Sequence, residues 1–275
     1  MGQGTPLGEF LRARRAGVSP LEAGIPEYTR RRVKGLRREE VSMLAGVSGD
    51  YYVRLEQGRE SRPSRQVLDA VAHALRLDEE ATAHLHRLAA APTARRRFPS
   101  DNTEVGDRLL RLLDGWREQP AFVLGPDLDI LACNPMATVL HQGFTVDDNL
   151  ARMVFADPAG RDFYRDWDRS ARAAVAELRA AYGHDPARAR LAELVAELSA
   201  LSPRFAELWA SHEVRGKTGD RKRLLHPEVG ELEIDFLSFT VNGAPGQQLV
   251  VYQAEPATPT AAAFERLLAR AAALV

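Results

Sequence analysis

Apolar positions in the first ninety residues recur at helical spacing in short runs, and each run ends at Gly, Pro, Ser or Asp. Leu7, Phe10 and Leu11, with Arg14 or Arg15 one turn on, predict a first helix that buries an apolar stripe. Gly17, Pro20, Gly24 and Pro26 break that pattern, and a basic stretch with Arg30, Arg31, Arg32 and Lys34 follows. RREEVSMLAGVS, GDYYVRLEQGR, SRQVLDAVAHALRL and DEEATAHLHRLAAA then predict four more helices, the last capped by Asp78. Residues 92–103 (PTARRRFPSDNT) have no periodicity and read as a linker.

Beyond residue 104 the pattern mixes two periods. EVGDRLLRLLDGWR is an amphipathic helix ending at Trp116, and 121–124 and 128–133 are two strands around a Gly-Pro-Asp turn. Asn134-Pro135 caps a short helix, and 149–212 is helical. Strands return at 222–226, 229–241 and 247–254, with a turn expected at His226-Pro227, and an Ala/Leu-rich helix at 260–274 closes the chain. In the long strand Leu232, Ile234 and Phe236 alternate with Glu231, Glu233 and Asp235, then the apolar phase flips to Leu237, Phe239 and Val241. A β-bulge at Phe236-Leu237 is predicted, because it restores one buried face. The fold expected is a mostly α N-terminal bundle at 1–91, the linker at 92–103, and an α+β domain at 104–275.

Charge sharpens this division. Residues 1–97 hold 18 Lys+Arg against 12 Asp+Glu, and the remainder holds 19 against 26. A basic front on an acidic back directs only the front toward a polyanion. The single cysteine, Cys133, excludes an internal disulfide framework and fits a reducing compartment. No leader-like apolar region or membrane-length apolar run is present, so a cytoplasmic protein without membrane contact is expected.

The segment Leu36–Gly58, LRREEVSMLAGVSGDYYVRLEQG, carries the strongest signal. Val41 and Leu44 are expected to form the buried side of one helix, and small Ala45 lets the next helix cross closely. Gly46 makes the turn, Val47 plugs the corner and Ser48 caps the second helix. Tyr52 and Leu55 point inward at helical spacing. Gly49, Asp50, Tyr51, Val53 and Arg54 are left on or beside the outer face as candidates for base contact. In a helix-turn-helix this second helix enters the major groove of double-stranded DNA, where an Arg suits guanine. Arg31, Arg32, Arg37, Arg38, Ser48, Arg59, Arg62 and Arg65 are candidates for phosphate contact.

The segment resembles the Cro/repressor (xenobiotic-response-element) type of helix-turn-helix, with Glu56 and Gly58 matching its E-x-G ending. That resemblance implies a Glu56 pair with an Arg of the first helix, Arg12 or Arg14. FLRARR, VKGLRREEV, DYYVRLEQGR, QPAFVL, LACNP, SPRFAELWASHEV, HPEVGEL and LVVYQAEP extend the likeness over nearly the whole chain, which is similar to the MmyB-like regulators. The resemblance implies a PAS-like C-terminal domain that takes a small hydrophobic, fatty-acid-like ligand, and a homodimer on inverted half-sites. The alternative is a C-terminal domain that only assembles subunits.

Tyr164, Trp167, Arg172, Phe205, Trp209 and His212 are the candidates for a ligand pocket, with Phe163 and His226 beside them. Catalysis is not expected. Asp157, Asp162, Asp166 and Asp168 alternate with Arg161, Arg165 and Arg169, as in ion pairing on a helix face. His84 and His86, two apart on a helix, diverge. No nucleotide-binding, nucleophile-elbow or metal-ligand spacing occurs, so neither cofactor nor metal is expected.

Overall fold

The computed structural model describes residues 5–26, 33, 35–60, 63–90, 103–184, 188–211 and 221–272. The candidates Arg31, Arg32, Arg62 and His212 and most of the 92–103 linker lie outside those residues. Contacts divide the chain into two units, one of residues 1–97, 179–187 and 207–216, the other of 98–178, 188–206 and 217–275.

Five short helices build the first unit: α1 (Pro6–Gly17), α2 (Arg38–Ala45), α3 (Gly49–Glu56), α4 (Arg65–Ala74) and α5 (Glu79–Ala89). Each helix after α2 starts where a side chain satisfies a free backbone N–H. Ser48 accepts from Tyr51 N at 3.2 Å, Ser64 from Val67 N at 3.3 Å, and Asp78 from Ala81 N at 2.8 Å. Leu7, Phe10 and Leu11 of α1 join Val41, Tyr52, Leu55, Val71 and Leu85 in one hydrophobic core. Leu44 departs from expectation and stands 37% exposed. The buried arc of α2 runs through Val41, Ala45 and Ser42. At about 100° per residue Leu44 falls beyond its edge, and the Ser42 hydroxyl tolerates burial by donating to Glu39 O at 2.9 Å.

The second unit is built on a five-stranded antiparallel sheet in the order β2-β1-β5-β4-β3. Its strands are β1 (Ala121–Leu124), β2 (Ile130–Cys133), β3 (Arg221–His226), β4 (Gly230–Thr240) and β5 (Gln248–Gln253). This sheet with flanking helices is the α+β arrangement expected of a PAS-like domain. Helices α6 (Asp107–Gly115), α7 (Pro135–His141), α8 (Leu150–Phe155), α9 (Ala159–Phe163), α10 (Trp167–His184), α11 (Ala189–Leu201), α12 (Pro203–Ser211) and α13 (Pro259–Ala271) complete the described elements. Asn134 knits the entrance to α7. Its Oδ1 accepts from Ala121 N at 3.0 Å and Ala137 N at 2.9 Å, while its Nδ2 donates to Gln119 O at 2.8 Å. The Ala/Leu stripe of α13 (Ala263, Phe264, Leu267) is buried, and α13 packs on α7 and β4.

The predicted bulge is absent. The β4–β5 ladder runs in regular register from Asp235↔Gln253 through Leu237↔Val251 to Thr240↔Gln248. The phase flip therefore divides apolar side chains between two faces. Leu232 and Ile234 are buried on the face packed by α13, whereas Leu237 and Phe239 lie on the opposite face. On that second face α6 places Leu109, Leu113 and Trp116 over Ala121, Val123, Leu249 and Val251. An apolar run across the flip is possible because both faces of this sheet carry helices.

Candidate nucleic-acid interface and ligand-binding core

The turn between α2 and α3 follows from one residue that tolerates left-handed backbone. Gly46 has φ +65°, its N–H reaches Met43 O at 3.3 Å, and Val47 N reaches Ser42 O at 3.0 Å. Ser48 then starts α3, Val47 packs on the core, and Tyr52 and Leu55 are wholly buried. The outward arc holds Gly49, Asp50 and Arg54 exposed, with Tyr51 and Val53 half-buried at its border. The Arg54 guanidinium lies 5.6 Å from the Tyr51 ring centroid, and its Nε is 4.0 Å from Glu60 Oε2. Arg54 is thus held over the outer surface of α3 by loose, solvent-exposed contacts.

Glu56, at the inward end of α3, fixes this helix against two others. Its carboxylate is fully buried and accepts from Arg15 Nε at 2.6 Å and from Arg38 Nε at 2.7 Å. Arg15 also donates to Leu36 O at 2.9 Å. The partner in α1 is therefore Arg15, not Arg12 or Arg14. Arg15 sits four residues after buried Leu11, one turn further along the same flank of α1. Burial alone lowers the Arg15 pKa, but the hydrogen bond and charge of Glu56 outweigh it and raise the value.

The other phosphate candidates spread around this frame. Arg37 is exposed and paired with Glu39 at 3.3 Å, Arg38 reaches Glu56 while half-exposed, and Arg59 and Arg65 are exposed. Exposed cations thus stand at the start of α2, after α3 and at the start of α4.

The structure does not gather the candidate pocket residues at one point. Trp167 Nε1 donates to Val154 O at 2.9 Å under the Arg161 guanidinium, and Phe155 lies edge-on to both Trp167 and Phe205. Arg172 pairs with Asp168 at 2.9 Å. Trp209 belongs to the first unit, where buried Arg179 stacks 3.7 Å from its ring centroid. Ion pairs form at two of the four aspartates, with more distant partners than expected: Asp166 binds Arg223 at 2.6 Å and Asp168 binds Arg204 at 2.6 Å. Asp157 instead accepts from Thr145 N and Oγ1 at 2.7 Å and from Val146 N at 2.8 Å. Among the described residues no cluster of His, Cys, Asp or Glu has the grouping a metal ion needs. None of their helices is long and apolar enough to cross a membrane.

Tyr164 sits in a different cluster, most of which sequence reasoning missed. Phe122 of β1, His141 of α7, Phe144, Phe163 of α9, Tyr164 and Tyr252 of β5 form a chain of ring contacts 5.0–6.4 Å between centroids. His141 is 7% exposed and its Nε2 has no hydrogen-bond partner. Burial, then the charge of Lys222, pushes its pKa down to about 4. The Lys222 ammonium is 3.4 Å from the Tyr252 hydroxyl and 4.6 Å from the Phe236 ring centroid. His226, by contrast, is bound at both nitrogens, to Val139 O and to the N–H groups of Glu228 and Val229, and serves the expected turn. No local pattern in the sequence marks Tyr252 or His141, since β5 is apolar and buried at four successive positions, Leu249 to Tyr252.

Residues 6–85 match the family model described as a helix-turn-helix domain. Residues 105–268 match the model described as the MmyB-like transcription regulator ligand binding domain. A search of curated proteins returned no match. The turn at Gly46, the buried Glu56 frame and the helix-flanked antiparallel sheet are thus the two parts of one architecture, and the chain belongs to the MmyB-like transcription regulators.

Proposed function

We propose that the protein is a sequence-specific regulator that reads the major groove with α3, acts as a homodimer on paired half-sites, and answers to a small hydrophobic ligand in its C-terminal domain. The observation that carries the DNA-reading part is the exposed arc Gly49, Asp50, Tyr51, Val53 and Arg54, opposite the fully buried Tyr52 and Leu55. Arg54 supplies the paired donors for guanine O6 and N7, and Tyr51 lies against the backbone or a thymine methyl. Arg37, Arg38, Arg59 and Arg65 contact phosphates and set the register, with Arg31, Arg32 and Arg62 extending that set.

The ligand part is supported by the aromatic cluster around His141. It joins apolar rings to a buried nitrogen lacking a partner and a lysine beside a tyrosine hydroxyl. An apolar chain with a polar or acidic head suits those groups. Such a ligand alters DNA binding only by binding two conformations with different affinity.

The test is native mass spectrometry of the full chain, followed by DNA titration before and after removal of any bound molecule. A co-purified amphiphile whose removal changes DNA affinity supports the reading. Ligand-free protein whose DNA affinity is indifferent to added fatty acids would leave the C-terminal domain as an assembly module.

A further inference from the structure

Two cross-strand rows on the α6 face of the sheet each end in an uncovered side chain. Ala121 pairs with Val251, which pairs with Leu237, and Val123 pairs with Leu249, which pairs with Phe239. The first two members of each row are buried beneath α6, yet Leu237 is 41% and Phe239 49% exposed. The cause is width. Strands lie about 4.8 Å apart and a helix with its side chains is about 10 Å across, so one helix covers about two strands.

Helix α6 is itself incompletely covered. Leu110 and Leu112 are exposed, and with Leu237 and Phe239 they make four of the nine large apolar side chains exposed among the described residues. About 100° per residue places Leu110 and Leu112 on opposite flanks of the inward-facing line of partly buried Leu109 and buried Leu113. The Leu112 flank carries exposed Arg108 with Arg111 behind it, while Asp107 and Asp114 fall toward the Leu110 side. The sheet beside Leu237 has the opposite charge. Arg221 alone faces three carboxylates, Glu233 at 3.1 Å, Asp235 at 3.2 Å and Glu255 at 3.6 Å.

We propose that this face binds a second copy of the chain, the Leu112–Arg108 flank of α6 from one protomer covering Leu237 and Phe239 of the other. Both halves of the contact, an apolar strip with an acidic border and an apolar flank with a basic border, occur on one molecule. A twofold axis therefore satisfies both at once and closes the assembly at two. The inference rests on the reading above that paired half-sites are bound, and it specifies which surface pairs the copies.

The experiment is sedimentation velocity on the full chain without DNA, over a wide dilution series, for wild type, Phe239→Lys and Arg108→Glu. A wild-type dimer is expected, Phe239→Lys sedimenting at half its mass with unchanged circular dichroism, and Arg108→Glu dissociating at higher concentration than wild type. The double variant Arg108→Glu/Asp235→Arg is expected to recover the dimer. If Phe239→Lys fails to fold, exposed Arg108 and its rescue decide the matter alone. A wild-type monomer at every concentration overturns the proposal, as does a dimer indifferent to Arg108→Glu. Mass is read without DNA, so these failures leave the reading of α3 intact. Loss of sequence preference by a stable dimer would instead count against α3.

Discussion

Arg15 and Glu56 stand 41 residues apart in sequence and 2.6 Å apart in the fold, joining the first helix to the end of α3. The carboxylate is wholly enclosed and Arg15 is 17% exposed, so neither charge has much water to fall back on. Breaking such a pair on one side leaves a buried charge uncompensated, which costs about 3 kcal/mol or more. Glu56→Ala is therefore expected to lower the first urea transition by about that amount. Glu56→Gln, which keeps an acceptor oxygen, is expected to lose less. Equal losses in the two variants would show that the packing at this position matters and the pairing does not.

Two glycines of α1 predict opposite outcomes for the same substitution. A Cβ on Gly8 falls 2.0 Å from Glu56 O, so α1 and the end of α3 meet there backbone to backbone. Gly8→Ala is expected to cost about 1–3 kcal/mol. A Cβ on Gly17 meets nothing within 4 Å among the described residues. Gly17→Ala is expected to stabilise by about 0.5 kcal/mol, because alanine restricts the unfolded chain and favours the helix. Denaturant melts of both variants check the contrast, and a stabilised Gly8→Ala would contradict the close approach.

His141 makes stability depend on pH in a defined window. Its pKa is lowered from 6.5 to about 4, so the unfolded chain takes up a proton that the folded chain refuses. Its contribution is fully present above pH 6.5 and is lost as pH falls toward 4, at up to about 1.4 kcal/mol per pH unit. The buried ring with its unpartnered nitrogen is replaceable by an aromatic of similar size. His141→Phe is expected to flatten the stability profile between pH 6.5 and 4.5 relative to wild type. Parallel profiles for the two proteins would place the titrating group elsewhere.

The elements whose ends are set by local chemistry were legible in the sequence: the turn at Gly46, the caps at Ser48, Asp78 and Asn134, and the five strands. Each depends on one residue and its nearest backbone. What depends on rotation or on distant partners was not legible. Leu44 and Ser42 exchange places because the rotation of α2 is set by its packing on α3 and α4 together. Arg15 takes the place of Arg12 or Arg14 because the pairing is set by where Glu56 of α3 lies, 41 residues away in sequence. The apolar flip in β4 reads as a bulge if one face is assumed wet, and as two buried faces once α6 is seen on the second. The cluster at His141 draws on β1, α7, α9 and β5, so no stretch of sequence carries it.

The central claim is that α3 reads DNA through its exposed arc. It is tested most directly by fluorescence anisotropy at one fixed salt concentration, comparing a natural intergenic duplex with a shuffled one for wild type, Arg54→Ala and Arg65→Ala. The account predicts that wild type prefers the natural duplex by about tenfold or more, since a good bidentate Arg–guanine contact alone contributes about 1–3 kcal/mol of discrimination. Arg54→Ala should lose that preference, while Arg65→Ala should weaken both duplexes alike. An Arg54→Ala protein that keeps the wild-type preference would contradict it.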